Sequence, residues 1–475
     1  MPLGNCRRDM SCLNSIKTAL KPLQCRPGVS LKVMNLLPSQ KSRTVYRNIP
    51  TRFTRYVHRR YSSMPSQTRI AIVGGGPAGL TLGVLLNTHH IPFTIFEYRQ
   101  KPTEKELAKP SGMLDLHPES GLAALKECGL YEPFLSLTGE CTEDFIIADK
   151  SGSVLHTLTG DRTRPEISRN NLAKLLSSNL PTESIKWGHK LISATRQATL
   201  EGFETELDFG SLGKHTFDFV VGADGAWSQM RRLLTDVRPQ YTGMQHITTT
   251  IEGITKKHPH LTNLVGSGSF SCLGNKHAII SQRGSMDSSR IYLWLTLPEK
   301  NYLVDSGLDK MTAAEAKVVL LSDEKLLGTF DAKVKDLVAI GCEEESANNP
   351  EASVDIRALY KLPHGTSWEH KAGVTLVGDA AHLMLPNGEG VNSAMLDSLL
   401  LSHIVVKACK PAEGSSRMFQ RTLDPLLVDF EASLVKRAKS MGEDTDELID
   451  TMFGTEDAAY ELVRFFQGAQ EQVNQ

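Results

Sequence analysis

Short apolar runs that end on a glycine or an acidic residue recur along the chain and predict buried strands. The first run covers residues 70–73 and leads into a cluster of glycines, after which residues 81–86 have the pattern of a buried helix. A second run at 93–96 ends on Glu97. A strand, a helix and a second strand within roughly 30 residues form a βαβ unit, so this segment predicts the start of a parallel α/β sheet.

Two later runs have the same character and predict further strands of that sheet. Residues 219–222 lead into Asp224, and residues 374–377 lead into Gly378 and Asp379. Beyond residue 391 the apolar spacing becomes helical, which predicts helices over 391–408 and 423–466.

Between these runs, apolar and polar residues alternate at 245–252, 277–283 and 290–297, a pattern that predicts a half-buried sheet. In the last segment Tyr292, Trp294 and Thr296 fall on one face and the aliphatic residues on the other. This aromatic face has two interpretations that the sequence leaves open: it lines a pocket for a planar substrate, or it packs against another layer.

The glycines after the first strand have the spacing of a dinucleotide-binding turn. Gly74, Gly76 and Gly79 follow G-x-G-x-x-G, in which the glycines allow a tight turn, close approach of a pyrophosphate, and close helix–strand packing. Glu97, at the end of the second strand, is placed to accept a hydrogen bond from a ribose hydroxyl. Because the strand, helix, second strand and acidic residue all agree, the segment predicts a dinucleotide site.

Two further motifs carry acidic residues at strand ends. Residues 224–231 have the spacing D-G-x-x-S-x-x-R, and Asp379 precedes a loop with Gly390 and Asn392 before the next helix. By itself Asp-Gly indicates only a turn, and Asp379 has the alternative interpretation of a simple helix cap.

The order of these three motifs resembles the flavin-dependent aromatic hydroxylases of the para-hydroxybenzoate hydroxylase type, the class A flavin monooxygenases. The resemblance implies that Gly74, Gly76, Gly79 and Glu97 bind FAD, with Asp224 near its pyrophosphate. It also implies that Asp379 binds the ribityl chain. By the same resemblance Gly390 and Asn392 belong to the loop at the flavin, and the dipole of the next helix favours reduced flavin.

Three stretches narrow the resemblance to the tetracycline-inactivating flavin monooxygenases: residues 111–121, 124–130 and 166–172. It implies that Arg169 contacts the flavin and that Asp115 lies near the flavin and its mobile loop. A surface arginine at a helix start is the alternative for Arg169. The loop 386–392 is one residue shorter than the family pattern, and Thr248 and Lys276 replace polar tetracycline-binding positions, so tetracycline is not the expected natural substrate.

The implied activity is that of an FAD-dependent monooxygenase, an NADPH-dependent oxidoreductase of secondary metabolism or detoxification. In that family NAD(P)H reduces FAD, and one oxygen atom of O2 passes to an aromatic or polycyclic, polyketide-like small molecule. The cofactor carries the reaction, so we assign no catalytic side chain and no metal ligand, and neither His117 nor His382 is assigned as a base. The alternatives are a flavin oxidase or dehydrogenase without oxygen insertion and a non-catalytic flavin-binding protein.

Composition excludes other classes of function. The chain has 53 Lys and Arg against 54 Asp and Glu, a net charge of −1, so no nucleic-acid-binding footprint is expected. No apolar run reaches the roughly 18 residues that span a bilayer. The eight cysteines show no C-x-x-C or metal-ligand spacing, which is typical of a reducing compartment.

The first 66 residues differ from the rest, with thirteen Lys or Arg and a single acidic residue, Asp9. This composition is typical of a mitochondrial transit peptide. Equally, translation from Met64 would give a complete cytoplasmic enzyme, since the first strand begins shortly after it. In both cases the extension is expected to be disordered.

The expected fold class is α/β: a Rossmann-like FAD-binding domain with an inserted β-sheet substrate domain and C-terminal helices. The expected division is a basic extension at 1–66, FAD-binding parts at 67–140 and 141–235, the second with a mixed insert, a substrate-binding sheet at 236–365, and a third FAD-binding part with the C-terminal helices at 366–475.

Overall fold

The computed structural model describes residues 68–139, 141–160, 162–200, 202–410 and 416–473 of the 475-residue chain. The extension at 1–66 lies outside the described residues, so its two interpretations stay predictions.

The described residues form strands and helices in mixed order. The strands are β1 Ile70–Val73, β2 Thr94–Glu97, β3 Met113–Asp115, β4 Phe145–Asp149, β5 Val154–Leu158, β6 Glu166–Ser168, β7 Ile185–Trp187, β8 Ser193–Thr199, β9 Gly202–Asp208, β10 Lys214–Phe217, β11 Phe219–Gly222, β12 Gln240–Ile251, β13 Ser269–Gly274, β14 His277–Gly284, β15 Ser288–Thr296, β16 Ile356–Lys361 and β17 Val374–Leu376. The helices are α1 Pro77–Thr88, α2 Glu104–Leu107, α3 Gly121–Glu127, α4 Tyr131–Leu135, α5 Arg169–Ser178, α6 Gln229–Leu234, α7 Ile254–Lys257, α8 Pro259–Val265, α9 Tyr302–Asp305, α10 Ala313–Ser322, α11 Ala332–Asn348, α12 Asp379–His382, α13 Glu389–Cys409, α14 Ser416–Phe453 and α15 Ala458–Val473.

A five-stranded parallel sheet forms the centre of the first layer, in the order β17-β11-β1-β2-β7. Strands β1, β11 and β17 are fully buried and consist of continuous apolar runs, as is usual for a parallel sheet covered on both faces. The four apolar runs predicted from the sequence all contribute strands to this sheet, and they come from distant parts of the chain. Helices α1 and α13 pack against each other beside it.

A seven-stranded sheet forms the second layer, in the order β16-β12-β15-β14-β13-β4-β5. One face packs on α10 and α11 through the aliphatic residues Ile291, Leu293 and Leu295, and the other face carries Tyr292 and Trp294. The predicted alternation in residues 290–297 is therefore confirmed.

The segment 141–235 does not form one structural piece. Strands β4 and β5 join the seven-stranded sheet, where Phe145 pairs in parallel with Ser269, whereas β7 and β11 belong to the five-stranded sheet. Pattern alone could not assign these short strands, because a strand's partners are chosen by long-range packing.

A small antiparallel pair of β3 with β6 places Asp115 opposite Glu166. At the C-terminus the helix predicted over 423–466 is two helices, α14 and α15, and Gly454 lies at the break. None of the described helices is long and apolar enough to cross a membrane.

Candidate functional site

The carboxyl ends of three neighbouring strands bring the three sequence motifs together. Gly74 donates a backbone hydrogen bond to Phe96 (2.8 Å), Ala223 donates to Val73 (2.8 Å) and Val377 donates to Gly222 (2.9 Å). In a parallel α/β sheet, ligands bind at this edge. The turns of the three motifs therefore meet at one edge of the sheet, although they are up to about 300 residues apart in sequence, and we call the region that they border the cofactor cleft.

The glycine turn has the shape that its spacing predicted. Gly74 has a φ of +114°, and a Cβ there would collide with the backbone of Ala223. A Cβ on Gly79 would collide with the carbonyl of Gly74, whereas a Cβ on Gly76 would meet no atom within 4 Å. Gly76 thus faces open space at the N-terminus of α1, where backbone N–H groups favour an anion.

The carboxylate of Glu97 is buried and lies against the glycine turn. Its Oε2 accepts a hydrogen bond from the Gly75 N–H at 2.7 Å, and its Oε1 accepts from the backbone N–H and Nε of Arg99 at 2.9 and 2.8 Å. Burial alone would raise the pKa of Glu97, but the hydrogen bonds from Arg99 and Gly75 lower it. Glu97 is therefore ionised at the end of β2, where its ribose contact stays a prediction.

Asp224 caps the helix that follows it. Its carboxylate accepts hydrogen bonds from the Ser228 hydroxyl (2.5 Å) and from the backbone N–H groups of Gln229 (2.7 Å) and Met230 (3.1 Å). Burial raises the pKa of this carboxyl, and the three donors offset part of that rise. Asp224 thus holds the D-G-x-x-S-x-x-R turn in shape, and any contact with a pyrophosphate stays a prediction.

Arg231, the last residue of that motif, ties the second motif to the third. Its side chain is only 2% exposed. One terminal nitrogen donates to the carbonyl of Ala380 at 2.9 Å, and the other donates to the carbonyl of Ala226 at 2.5 Å. The spacing of the motif identified Arg231, but not its contact with the Gly-Asp turn.

Asp379 differs from these residues because it remains accessible to solvent, although protein atoms crowd its carboxylate. Its carboxylate accepts no side-chain hydrogen bond from the described residues, although three cationic side chains exert a field on it. Its crowded surroundings raise the pKa of Asp379, while the positive fields of His382, Arg169 and Arg231 oppose that rise. Asp379 is thus an available acceptor surrounded by cations, which is the arrangement that a ligand with several hydroxyl groups requires.

His382 is buried against the helix behind this turn. Its Nε2 lies 2.6 Å from Oδ2 of Asp397, and that same oxygen accepts a hydrogen bond from the Gly378 N–H at 3.1 Å. On the other side Arg437 donates to Oδ1 of Asp397 at 2.9 Å. His382 therefore supports the turn before Asp379 and does not face the cleft as a base.

Arg169 lies at the start of α5 and is exposed. Its backbone N–H donates to the carbonyl of Gly112 at 2.9 Å. A Cβ built on Gly112 would lie 2.5 Å from the hydroxyl oxygen of Tyr292 and 3.6 Å from Nε of Arg169. Gly112 therefore leaves the space in which the aromatic sheet face meets the Arg169 side of the cleft, a contact that nothing in the sequence indicated.

The loop before α13 completes the edge of the cleft. A Cβ on Gly390 would meet nothing within 4 Å, so this backbone is open at the start of the helix. Asn392 is fully buried: its Nδ2 donates to the carbonyl of Asp115 at 2.9 Å, and its Oδ1 accepts from the His117 N–H at 2.9 Å. The Asn392 amide thus joins the loop to the Asp115 segment, and a direct flavin contact by Asn392 stays a prediction.

These features fit FAD as the group for which the cleft is built. The glycine turn offers an open anion-binding helix start at Gly76, Asp379 offers an exposed carboxylate that can accept hydrogen bonds from a polyol chain, and Arg169 offers an exposed cation. No group of three or more His, Cys, Asp or Glu side chains among the described residues has a geometry that could hold a metal ion.

Comparisons with known proteins agree with this geometry. A model of the FAD binding domain family matches residues 67–326. The chain is 34% identical over 419 residues to the monooxygenase asqM of Emericella nidulans, an alignment that covers 80% of this chain and 94% of that relative.

Solved structures with the same fold include enzymes that bind flavin. HpxO of Klebsiella pneumoniae, complexed with FAD and uric acid, aligns with a TM-score of 0.65 at 16% identity, over 86% of this chain and 95% of that chain. The tetracycline destructase Tet(51) aligns with a TM-score of 0.58 at 18% identity, over 86% and 98% of the two chains. At these identities the likeness shows the fold alone, and it confirms the expected α/β fold with an FAD-binding domain.

Proposed function

Since the chain belongs to the FAD-binding-domain family of flavin monooxygenases and is an FAD-dependent monooxygenase, we propose that it uses NAD(P)H and O2 to hydroxylate a planar aromatic or polycyclic small molecule. The chemistry that FAD supplies when bound is electron transfer from NAD(P)H and delivery of one oxygen atom of O2. The residues of the chain bind and orient the reactants and exclude water.

The observation that carries the proposal is the position of the aromatic sheet face next to the cofactor cleft. Tyr292 reaches Gly112 beside Arg169, and Trp294 follows two residues later on the same face. The neighbouring strand contributes Ile280, which pairs with Tyr292. A flat, mainly apolar face with a hydroxyl group at its cleft end suits a planar ring system with one polar group.

The far end of this face is closed by the C-terminal helices. The ring of Trp294 stacks on Phe453 of α14 with the centroids 5.7 Å apart and an angle of 20°. His246, which pairs with Trp294 across the sheet, has a buried Nδ1 without a hydrogen-bond partner among the described residues. Burial, with the field of Arg357 adding to it, lowers the pKa of His246 to about 4. The same burial and the same positive field of Arg357 would penalise a cationic group here, which favours an uncharged or hydroxyl-bearing substrate.

A screen of phenolic and polycyclic compounds tests the proposal. The purified, FAD-loaded protein should consume NADPH faster with a true substrate, and the product should gain one oxygen atom from labelled O2. NADPH consumption without incorporation of the label would indicate a flavin oxidase instead. A screen in which only aliphatic or cationic compounds accelerate NADPH consumption would overturn the proposed substrate class.

A further inference from the structure

His117 lies between two carboxylates that belong to different segments of the cofactor cleft. Its Nε2 is 2.9 Å from Oδ2 of Asp115, at the end of β3, and its Nδ1 is 3.4 Å from Oε2 of Glu389, the first residue of α13. The imidazole is 3% exposed, whereas the two carboxylates are 35% and 37% exposed. A buried ring thus bridges two acidic groups at the cleft.

The geometry defines the protonation state of this ring. An ionised carboxylate is only an acceptor, so an imidazole that donates to a carboxylate at each nitrogen carries a proton on both, and the two contacts of His117 favour this form. Burial alone would lower the pKa of His117, but the hydrogen bonds and fields of Asp115 and Glu389 raise it to about 9. His117 is therefore an imidazolium at neutral pH.

Two further carboxyl groups lie close to the carboxylates of this bridge. Glu166 lies opposite Asp115 in the β3–β6 pair, and the field of Asp115 acts on it. The negative field of Glu389 contributes to the raised pKa of Asp444 on α14, after burial and the fields of Glu447 and Glu443. His117 is thus the positive centre of a largely acidic neighbourhood.

The backbone contacts show what the bridge holds in place. The His117 N–H donates to Oδ1 of Asn392, whose Nδ2 donates to the carbonyl of Asp115. A Cβ on Gly388, at the start of α13, would lie 3.5 Å from Oδ1 of Asp115. The imidazolium therefore fixes the Asp115 segment against the helix start that borders the cleft.

We propose that His117 is a positioning residue whose positive charge joins the Asp115 segment to the start of α13 and cancels acidic charge beside the cofactor, so that it sets both the affinity for FAD and the reduction potential of the flavin. The proposal rests on FAD binding in this cleft. Reduced flavin carries more negative charge than oxidised flavin, so an uncompensated Asp115–Glu389 pair would disfavour the reduced form.

Variants of the cation and of one carboxylate of the bridge should shift the reduction potential of the flavin in opposite directions. His117→Gln should make the flavin potential more negative and weaken FAD binding about tenfold. A tenfold lower preference for reduced flavin corresponds to about 30 mV for a two-electron couple. Glu389→Gln removes a negative charge while Asp115 still holds His117, so it should shift the potential in the positive direction.

The wild-type protein should also show a pH dependence that His117→Gln lacks. Because the pKa of His117 is raised to about 9, its contribution is fully present at neutral pH and is lost as pH rises through about 9. The FAD affinity of the wild type should therefore fall as pH rises from neutral through about 9. The FAD affinity of His117→Gln should already be low at neutral pH and should change less.

His403→Gln is the matched control. His403 lies on α13, as Glu389 does, and pairs with a carboxylate, Glu127, at 2.6 Å, but at a site where both side chains are about half exposed. FAD dissociation constants by reconstitution and midpoint potentials by reductive titration are measured for all four proteins. Shifts of opposite sign for His117→Gln and Glu389→Gln, with wild-type values for His403→Gln, support the proposal.

Wild-type potential and affinity in His117→Gln would overturn it. If His117→Gln does not fold, Glu389→Gln decides alone, and an unchanged or more negative potential overturns the proposal. These measurements need no substrate. A wild-type protein that binds FAD but hydroxylates no compound would contradict the proposed function without touching His117.

Discussion

The guanidinium of Arg231 donates a hydrogen bond to the carbonyl of Ala380 at 2.9 Å, across 149 residues of sequence. Through this bond the turn that follows β11 holds the turn that follows β17. The second terminal nitrogen of Arg231 holds Ala226 in its own turn. One buried cation therefore fixes the relative position of two of the three motifs that border the cleft.

Replacement of Arg231 should impair both stability and cofactor retention. Arg231→Ala leaves buried carbonyls without donors and should lower the free energy of unfolding by about 2 to 3 kcal/mol. Arg231→Lys keeps the charge, but its single ammonium group cannot reach both turns. Its free energy of unfolding should therefore lie between those of the wild type and Arg231→Ala. Denaturant unfolding and FAD content are the measurements, with the exposed Arg238→Ala as control. Wild-type FAD affinity in Arg231→Ala would contradict the role assigned here.

Asp379 should show opposite effects on the apoprotein and on FAD binding. The crowded surroundings raise the pKa of this carboxyl, so they penalise its ionised form in the apoprotein. Asp379→Asn should therefore make the apoprotein slightly more stable. The same variant should bind FAD at least tenfold more weakly, and Asp379→Ala should lose FAD during purification. The melting temperature of the apoprotein measures the change in stability, and the dissociation constant of FAD measures the change in affinity. Equal affinity in wild type and Asp379→Ala would refute the ribityl role.

The close approach of Gly112 and Tyr292 predicts that a second substitution, at Tyr292, restores the function lost on substitution of Gly112. A Cβ at Gly112 would lie 2.5 Å from the Tyr292 hydroxyl oxygen, so Gly112→Ala should displace that ring and raise the KM for substrate several-fold. Removal of the hydroxyl in the double variant with Tyr292→Phe should restore much of the loss, if the clash is its cause. A Gly112→Ala enzyme with an unchanged KM would show that the ring does not border the substrate.

Glu166 should make stability depend on pH. Burial, with the field of Asp115 adding to it, raises the pKa of Glu166 to about 8. The folded protein thus holds a proton there that the unfolded chain releases above its ordinary pKa, so this group's contribution to stability is full in acid and is lost as pH rises to about 8. Glu166→Gln should remove that loss, roughly 2 to 4 kcal/mol, in denaturant unfolding at pH 5 and pH 8. An equal change in the free energy of unfolding between pH 5 and pH 8 for the wild type and Glu166→Gln would contradict the prediction.

The site residues divide by how they could be found. The spacing of the glycines predicted the turn at Gly74, Gly76 and Gly79, because tight backbone geometry excludes a Cβ at fixed positions in the sequence. Asp379 followed from resemblance, and the structure leaves it exposed, without a side-chain hydrogen bond among the described residues. Asn392 was also predicted for the cofactor, yet its amide is used in contacts between segments of the protein.

Other residues could not be found from sequence. His117 and Glu389 are far apart in the chain, and nothing local indicates that one ring lies between two carboxylates. The same holds for Gly112 and Tyr292, which come from different layers. Such contacts depend on how the sheets pack, and packing is not encoded in the periodicity of a single segment.

The sequence alone determined the βαβ start, the alternating face of residues 290–297, and the acidic residues at strand ends, because these follow from local backbone geometry and side-chain period. Only the tertiary structure decided that β4 and β5 join the seven-stranded sheet, that Arg231 ties two motifs together, and that His117 carries a charge at the cleft. Strand partners and buried ion pairs result from contacts between distant segments, and their energies depend on burial and distance, which exist only once the chain has folded.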